Sequence, residues 1–178
     1  MKEEKTPEID FTKCHFINYA FPASCLTKAL KYLPVEIQEW VSNNTAFFST
    51  FGKRYGSRLS PTMCSTKEII YLSEKTFPLD FIENSLPTQY FIFVVLHEVA
   101  HAKFKHDCDN QERKLHPDND PLESEANKQA ITWFNLHTKN NGLNEISMTE
   151  INAYKAKMGE IIDLWDYHWK EHLKDFLR

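Results

Sequence analysis

The segment HEVAH, residues 97–101, brings two histidines and a glutamate together directly after the apolar run FIFVVL. On a helix, His97 and His101 lie about 40° apart around the axis and roughly 6 Å apart along it, so both imidazoles can reach one metal ion. Glu98 lies about 100° from His97, which places it beside the ion rather than on it. Zinc makes a water molecule acidic near neutral pH, and Glu98 is suited to accept the proton. The spacing predicts the metal ligands and the general base of a zinc hydrolase.

A catalytic zinc needs a third protein ligand and one open position, and several side chains compete for the third place. His106 follows HEVAH closely, but on a continuous helix it lies about 180° from His97. We therefore expect His106 to be a cation at the helix C-terminus or an outer group that contacts a ligand. His116 and His137 stay open, although neither has a spacing that recommends it. Two glutamates in the segment PLESEANKQA, residues 121–130, are the remaining candidates.

Of these two glutamates, Glu125 is the preferred ligand. Asp120 is expected to cap a helix that begins with a proline, and Glu123, three residues after the cap, is accounted for as the capping-box partner. Glu125 has no such explanation, because it falls inside the helix, near its apolar stripe. The neighbouring Ala126 and Ala130 are small, which lets this helix approach HEVAH closely enough to present a carboxylate.

The segments HEVAHAKFKH and ESEAN, together with the apolar helix FIFVVL and the strand IIYLS before it, resemble the ImmA/IrrE family of metallopeptidases. The similarity spans about residues 66–136. It implies a small zincin-like domain and a cytosolic, zinc-dependent endopeptidase that cleaves a protein substrate such as a transcriptional repressor. Carried over residue by residue, His97 and His101 would bind zinc, Glu98 would act as the base and Glu125 would complete the site. The chain departs from the family in KQAITW after ESEAN, where an aromatic–alanine pair is usual, and in having no helix-turn-helix segment in front.

The elements that must position these residues follow from apolar spacing and from turn and capping residues. Segment 24–43 has helical spacing interrupted at Pro34, and segment 45–72 is aromatic and β-branched with glycines and a proline between short runs, which predicts a small sheet. Three later helices are predicted, the first from about Pro87 to His106, the second from Pro121 to about Gly142, and the third from the capping box Ser147–Glu150 towards the C-terminus. This order predicts an α+β domain whose short sheet packs against a central HExxH helix.

Length and composition favour one cytoplasmic domain over residues 1–178, with residues 1–10 as a loose N-terminal segment. The net charge of −4 argues against a general nucleic-acid binder. No stretch approaches the roughly 20 apolar residues that a bilayer requires, and the acidic N-terminus does not resemble a signal peptide. The four cysteines are scattered without a CxxC pair, which indicates reduced thiols rather than zinc ligands or disulfides.

Two other functions stay open at this stage. One is a protease similar to the SprT-like enzymes, which act on DNA-bound proteins and use a third histidine. The other is a non-enzymatic zinc-binding module whose aromatic C-terminal helix contacts a partner. In the peptidase interpretation, a hydrogen-bond donor for the oxyanion is also needed. The last helix offers three candidates for it, Tyr154, Tyr167 and His168.

Overall fold

The computed structural model describes residues 15–16, 23–50, 56–59, 67–78, 80–106 and 120–160. Within these residues the elements run in the order β1 His15–Phe16, α1 Ala23–Leu30, α2 Val35–Asn44, β2 Thr45–Thr50, β3 Gly56–Leu59, β4 Glu68–Ser73, α3 Leu86–Phe104 and α4 Pro121–Asn141. A further helix, α5, covers residues 148–160. The protein is therefore mixed α and β with more helix than strand and a small sheet, as the order of sequence patterns predicts.

The strands form one sheet in the order β1-β2-β4-β3. Strand β2 pairs with β1 and with β4 in parallel, whereas β3 pairs with β4 in antiparallel fashion. In the β2–β4 pairing Phe47 lies opposite Ile70, and both side chains are fully buried. Along β4 the buried residues Ile70 and Leu72 alternate with the half-buried Ile69 and Tyr71, as expected for a sheet with one face in the core.

Helix α3 carries HEVAH and is the central element of its unit. Its buried residues lie on every side of the helix, which is typical of a helix surrounded by other elements. It contacts α1, β3, β4 and α4. It begins after Ser85, whose hydroxyl oxygen accepts a hydrogen bond from the backbone N–H of Thr88 at 3.4 Å, with Pro87 in the first turn. The helix ends at Phe104, two residues earlier than predicted, because Lys105 adopts a left-handed conformation with φ of 56°.

Helix α4 begins and ends where the sequence predicts. Asp120 caps it, since its carboxylate oxygen Oδ1 accepts a hydrogen bond from the N–H of Leu122 at 2.9 Å. Gly142 ends it in the left-handed conformation, with φ of 67°, which glycine adopts at little cost. The stripe that faces the core is formed by Ala126, Ala130, Trp133 and Phe134, all of which are buried. Helices α3 and α4 pack directly against each other.

The fully buried Ala130 provides a test of this close helix approach. Ala130→Leu adds volume to a packed interface and is expected to lower the free energy of unfolding by about 1–3 kcal/mol. Urea denaturation measures this as a lower midpoint with an unchanged slope. Lys128→Leu, at an exposed position of the same helix, is the matched control and should leave the midpoint nearly unchanged. Equal midpoints for the two variants would contradict tight packing of α4 at Ala130.

The chain packs as two compact units, Met1–Glu145 and Ile146–Arg178. In the second unit, the Ser147 hydroxyl accepts a hydrogen bond from the N–H of Glu150 at 3.3 Å, and the Ser147 N–H donates to the Glu150 carboxylate at 2.9 Å. The predicted capping box is thus confirmed. The remaining apolar residues predicted for this helix after residue 160 lie outside the described residues. The expectation of a single domain over residues 1–178 stays a prediction.

Two smaller predictions concern the cysteines and the membrane. Cys25 is buried and its thiol is free, whereas Cys14, Cys64 and Cys108 lie outside the described residues. None of the helices in the part of the chain that the structure describes has both the length and the apolar character needed to cross a bilayer.

Candidate metal centre

Three side chains from α3 and α4 converge at one point. The Nε2 atoms of His97 and His101 lie 3.0 Å apart. One carboxylate oxygen of Glu123 lies 3.3 Å from Nε2 of His97, and the other lies 3.3 Å from Nε2 of His101. Among the described residues, these three form the group whose ligand atoms could hold a metal ion. The structure thus brings His97 and His101 together as predicted from HEVAH.

The spacing of these atoms fits a small tetrahedral cation. Zinc binds histidine nitrogen and carboxylate oxygen at about 2.0–2.2 Å, which puts neighbouring ligand atoms of a tetrahedron roughly 3.3 Å apart. The 3.0 Å between the two Nε2 atoms is close to that value, and so is the 3.3 Å from each nitrogen to its nearer oxygen of the Glu123 carboxylate. Two imidazole lone pairs directed at one point also repel each other unless a proton or a cation lies between them. Two histidines with one carboxylate form the donor set of catalytic zinc sites, in which a fourth position stays open.

The structure places the carboxylate of Glu123, and not that of the predicted ligand Glu125, against Nε2 of His97 and His101. The carboxylate of Glu125 instead lies 3.3 Å from Nε2 of His106, on a side chain that is largely exposed. The two glutamates are two residues apart on α4 and therefore point about 160° away from each other. Asp120 caps the helix as predicted, and the Glu123 carboxylate, which the sequence pattern assigned to the cap, also lies against the histidines.

A signal for Glu123 was present in the helical angles of α4. Relative to Ala126, Glu123 lies about 60° around the helix on the same side as the buried Ala130 and Phe134. Glu125 lies about 100° from Ala126 in the opposite direction, outside the buried stripe. The small alanines thus mark the side of α4 that approaches α3, and Glu123 is the acidic residue on that side.

The electrostatics keep Glu123 ionised. Burial alone raises the pKa of its carboxyl, but hydrogen bonds with His101 and His97, together with the charge of these histidines when protonated, outweigh burial. The pKa of Glu123 therefore lies well below its ordinary value, and the side chain is an acceptor at all moderate pH values. An ionised carboxylate between two imidazoles is the form that binds a cation.

Glu98 is a buried carboxyl next to this cluster. The pKa of Glu98 is raised to about 8. Burial is the main cause, the charge of His101 opposes it, and the charge of Glu123 adds to it. A group with a pKa near neutrality can both accept and donate a proton, which is the property that a general base and acid needs. A cation held by the histidines would favour the ionised form of Glu98.

Two of the other predicted candidates, His137 and Tyr154, are among the described residues. His137 stacks on Tyr32 with ring centroids 4.0 Å apart, and burial lowers the pKa of its imidazole. His116 lies outside the described residues, as do the oxyanion candidates Tyr167 and His168. Tyr154 is described and belongs to the second unit. The contacts of His137 with Tyr32 give it no role at the metal centre.

His106 is buried and contacts His101 on the side of the imidazole that faces away from Glu123. Its Nδ1 lies 3.0 Å from Nδ1 of His101, on the opposite side of the imidazole from the metal-facing Nε2. The prediction that His106 is an outer group is consistent with this contact, but its premise of a continuous helix is wrong, because α3 ends at Phe104.

Compared with protein-family models, with curated proteins and with solved structures, the chain shows no significant match. The resemblance to the ImmA/IrrE family therefore rests on the segments HEVAHAKFKH and ESEAN and on the helix and strand before them.

Proposed function

We propose that this chain is a zinc-dependent metallopeptidase that hydrolyses peptide bonds in a protein substrate. The observation that carries the proposal is the triangle of His97, His101 and Glu123 ligand atoms beside the buried carboxyl of Glu98. A metal site that served only to stabilise the fold would need no buried acid next to its ligands. The packing of α3 between the sheet and α4 supports a zincin-like domain, in which the helix after the HExxH helix supplies the third ligand.

The roles of the residues follow from their chemistry. His97 and His101 would hold zinc through Nε2, and Glu123 would hold it through its carboxylate. Zinc supplies Lewis acidity, which polarises a peptide carbonyl and makes a water molecule acidic near neutral pH. Glu98 accepts the proton of the attacking water on a carboxylate oxygen and delivers it to the leaving amine nitrogen. The peptide C–N bond breaks, and a carboxylic acid and an amine form.

The substrate class comes from the resemblance to ImmA/IrrE peptidases, which suggests a regulatory protein such as a transcriptional repressor. The SprT-like alternative needs a third histidine ligand. His106 contacts the Nδ1 side of His101, and Glu123 takes the third position, so the geometry favours a glutamate-type site over that alternative.

Zinc content and hydrolysis of the purified chain test the proposal. We expect about one zinc per chain and slow cleavage of a fluorescently labelled unfolded protein. Chelation should abolish cleavage, and added zinc should restore it. Bound zinc without cleavage of any unfolded or regulatory protein would instead support a zinc-binding interaction module. Absence of bound zinc at saturating metal would contradict both interpretations.

A further inference from the structure

A chain of three side chains runs outward from the metal centre. His101 Nδ1 lies 3.0 Å from Nδ1 of His106. His106 Nε2 lies 3.3 Å from the carboxylate of Glu125, which is largely exposed to solvent. His106 itself is buried, with 5% of its surface exposed. The series of contacts Glu125–His106–His101 therefore connects the protein surface to a proposed zinc ligand.

Hydrogen-bond chemistry sets one direction along this chain. An ionised carboxylate only accepts, so His106 must donate to Glu125 from Nε2. A neutral imidazole that carries its proton on Nε2 accepts at Nδ1. His101 must therefore donate from Nδ1. Its Nε2 faces the Glu123 carboxylate, and the proton that it shares with Glu123 in the metal-free site is the one that a metal ion would replace. The direction of the hydrogen bonds that start at Glu125 thus favours the His101 tautomer with its proton on Nδ1. This is the tautomer that binds a metal through Nε2.

The backbone is shaped to make this contact. Lys105 has φ of 56°, the positive value that is uncommon for residues other than glycine, and it is the one non-glycine residue with positive φ among those described. This reversal ends α3 and allows the N–H of His106 to donate to the carbonyl of His101 at 3.0 Å. A left-handed conformation costs a residue with a side chain roughly 1 kcal/mol or more. The reversal is what turns the His106 imidazole back onto His101.

His97 provides the internal comparison. Its Nδ1 is buried and has no hydrogen-bond partner among the described residues. Of the two imidazoles that face Glu123, His101 is thus the one whose outer nitrogen is held by a second side chain. The two histidines of HEVAH are equivalent in sequence spacing but not in their surroundings.

We propose that His106, oriented by Glu125, is a positioning residue that fixes the tautomer and ring orientation of His101 for metal binding. This inference rests on the proposed function for its purpose, but the tautomer of His101 can be measured whether or not the protein is a peptidase. Outer partners of metal-bound histidines typically change metal affinity by about 10–100-fold when they are removed.

Zinc affinity of the full chain, measured by competition with a chromophoric chelator, is the first readout. His106→Ala should weaken zinc binding about 10–100-fold, because the Nδ1–H of His101 loses its acceptor. His106→Asn should bind zinc nearly as tightly as wild type, since the amide Oδ1 lies roughly where Nδ1 lies and accepts the same hydrogen bond. Glu125→Gln should weaken zinc binding by a smaller factor, because a neutral amide no longer imposes the direction of the chain. His137→Ala and Glu39→Gln change residues that do not belong to the series Glu125–His106–His101. They are the matched controls and should bind zinc as wild type does.

The second readout is the imidazole region of two-bond ¹H–¹⁵N correlation spectra of the metal-free protein with Glu123→Ala, at a pH where the imidazoles are neutral. The Glu123→Ala change removes the carboxylate that competes for a proton on Nε2 of His101. In this Glu123→Ala background with His106 intact, Nδ1 of His101 should carry the proton and Nε2 should not. In His106→Ala the proton should redistribute between the two nitrogens, and in His106→Asn the wild-type pattern should return. A merely structural role of His106 would not produce this rescue.

The two readouts separate the two proposals. Suppose that the protein binds no zinc, but that His101 has the Nδ1–H tautomer and loses it in His106→Ala. This result would contradict the proposed function and would still support the positioning role of His106. Unchanged zinc affinity and an unchanged His101 tautomer in His106→Ala and Glu125→Gln would overturn the positioning role. Glu125→Gln keeps this outcome accessible if His106→Ala fails to fold, because Glu125 is exposed.

Discussion

Glu123→Ala should abolish stoichiometric zinc binding and peptide hydrolysis together. Glu123 is one of three candidate protein ligands. One of its carboxylate oxygens lies 3.3 Å from Nε2 of His97 and the other lies 3.3 Å from Nε2 of His101, and alanine leaves two histidines to hold the ion. The loss of affinity should exceed the roughly 10–100-fold that is typical of residues which only orient a ligand. The fold should persist, since an acidic residue in the first turn of a helix contributes only about 0.3–1 kcal/mol. Zinc titration and circular dichroism of the same sample measure both quantities.

Two glutamate controls make this result specific. Glu39→Ala, at an exposed position of α2, removes the same charge and should bind zinc as wild type does. Glu125→Ala should bind zinc with intermediate affinity, because Glu125 acts through His106. A variant Glu123→Ala that still binds one zinc tightly, while Glu125→Ala loses it, would reverse the ligand assignment and restore the one derived from the sequence.

The helices were predictable because their ends are determined by nearby residues. Pro34 interrupts the first helical segment, Asp120 caps α4, Gly142 ends it, and Ser147 with Glu150 forms the cap of α5. Each of these signals acts within about four residues of the chain. The sheet was predictable as a region but not in its order, because the pairing of β2 with β4 skips β3 and depends on contacts between distant segments.

In the metal centre, too, one part was predictable from the sequence and another part was not. The spacing of HEVAH places His97 and His101 on one face of a helix, which is a local property. The third ligand depends on which side of α4 approaches α3, and a capping rule applied to Glu123 alone cannot decide it. The position of His106 depends on a left-handed residue at Lys105, and a lysine carries no sequence signal for that conformation.

Glu98→Gln is expected to separate metal binding from catalysis. The change is nearly isosteric and leaves the three ligand residues in place, so zinc should stay near one per chain. An amide cannot accept the proton of the attacking water, and loss of a general base commonly lowers the rate by about 10²–10⁴-fold. The measurements are zinc content and the cleavage rate of the same labelled unfolded protein. Equal rates for the variant and wild type would rule out Glu98 as the base.

The pH dependence of stability gives an independent measure of the Glu98 environment. In the metal-free chain, burial raises the pKa of Glu98 from 4.5 to about 8, so between these values the folded state binds more protons than the unfolded state. The contribution of Glu98 to stability is therefore fully present below pH 4.5 and falls as the pH rises towards 8. Glu98→Gln does not ionise, so metal-free variant and wild type should diverge in unfolding midpoint over this window, with the variant the more stable at pH 8. If the unfolding midpoints of variant and wild type changed equally with pH across this window, Glu98 would not be desolvated. Burial could then not be the cause of a raised pKa at Glu98.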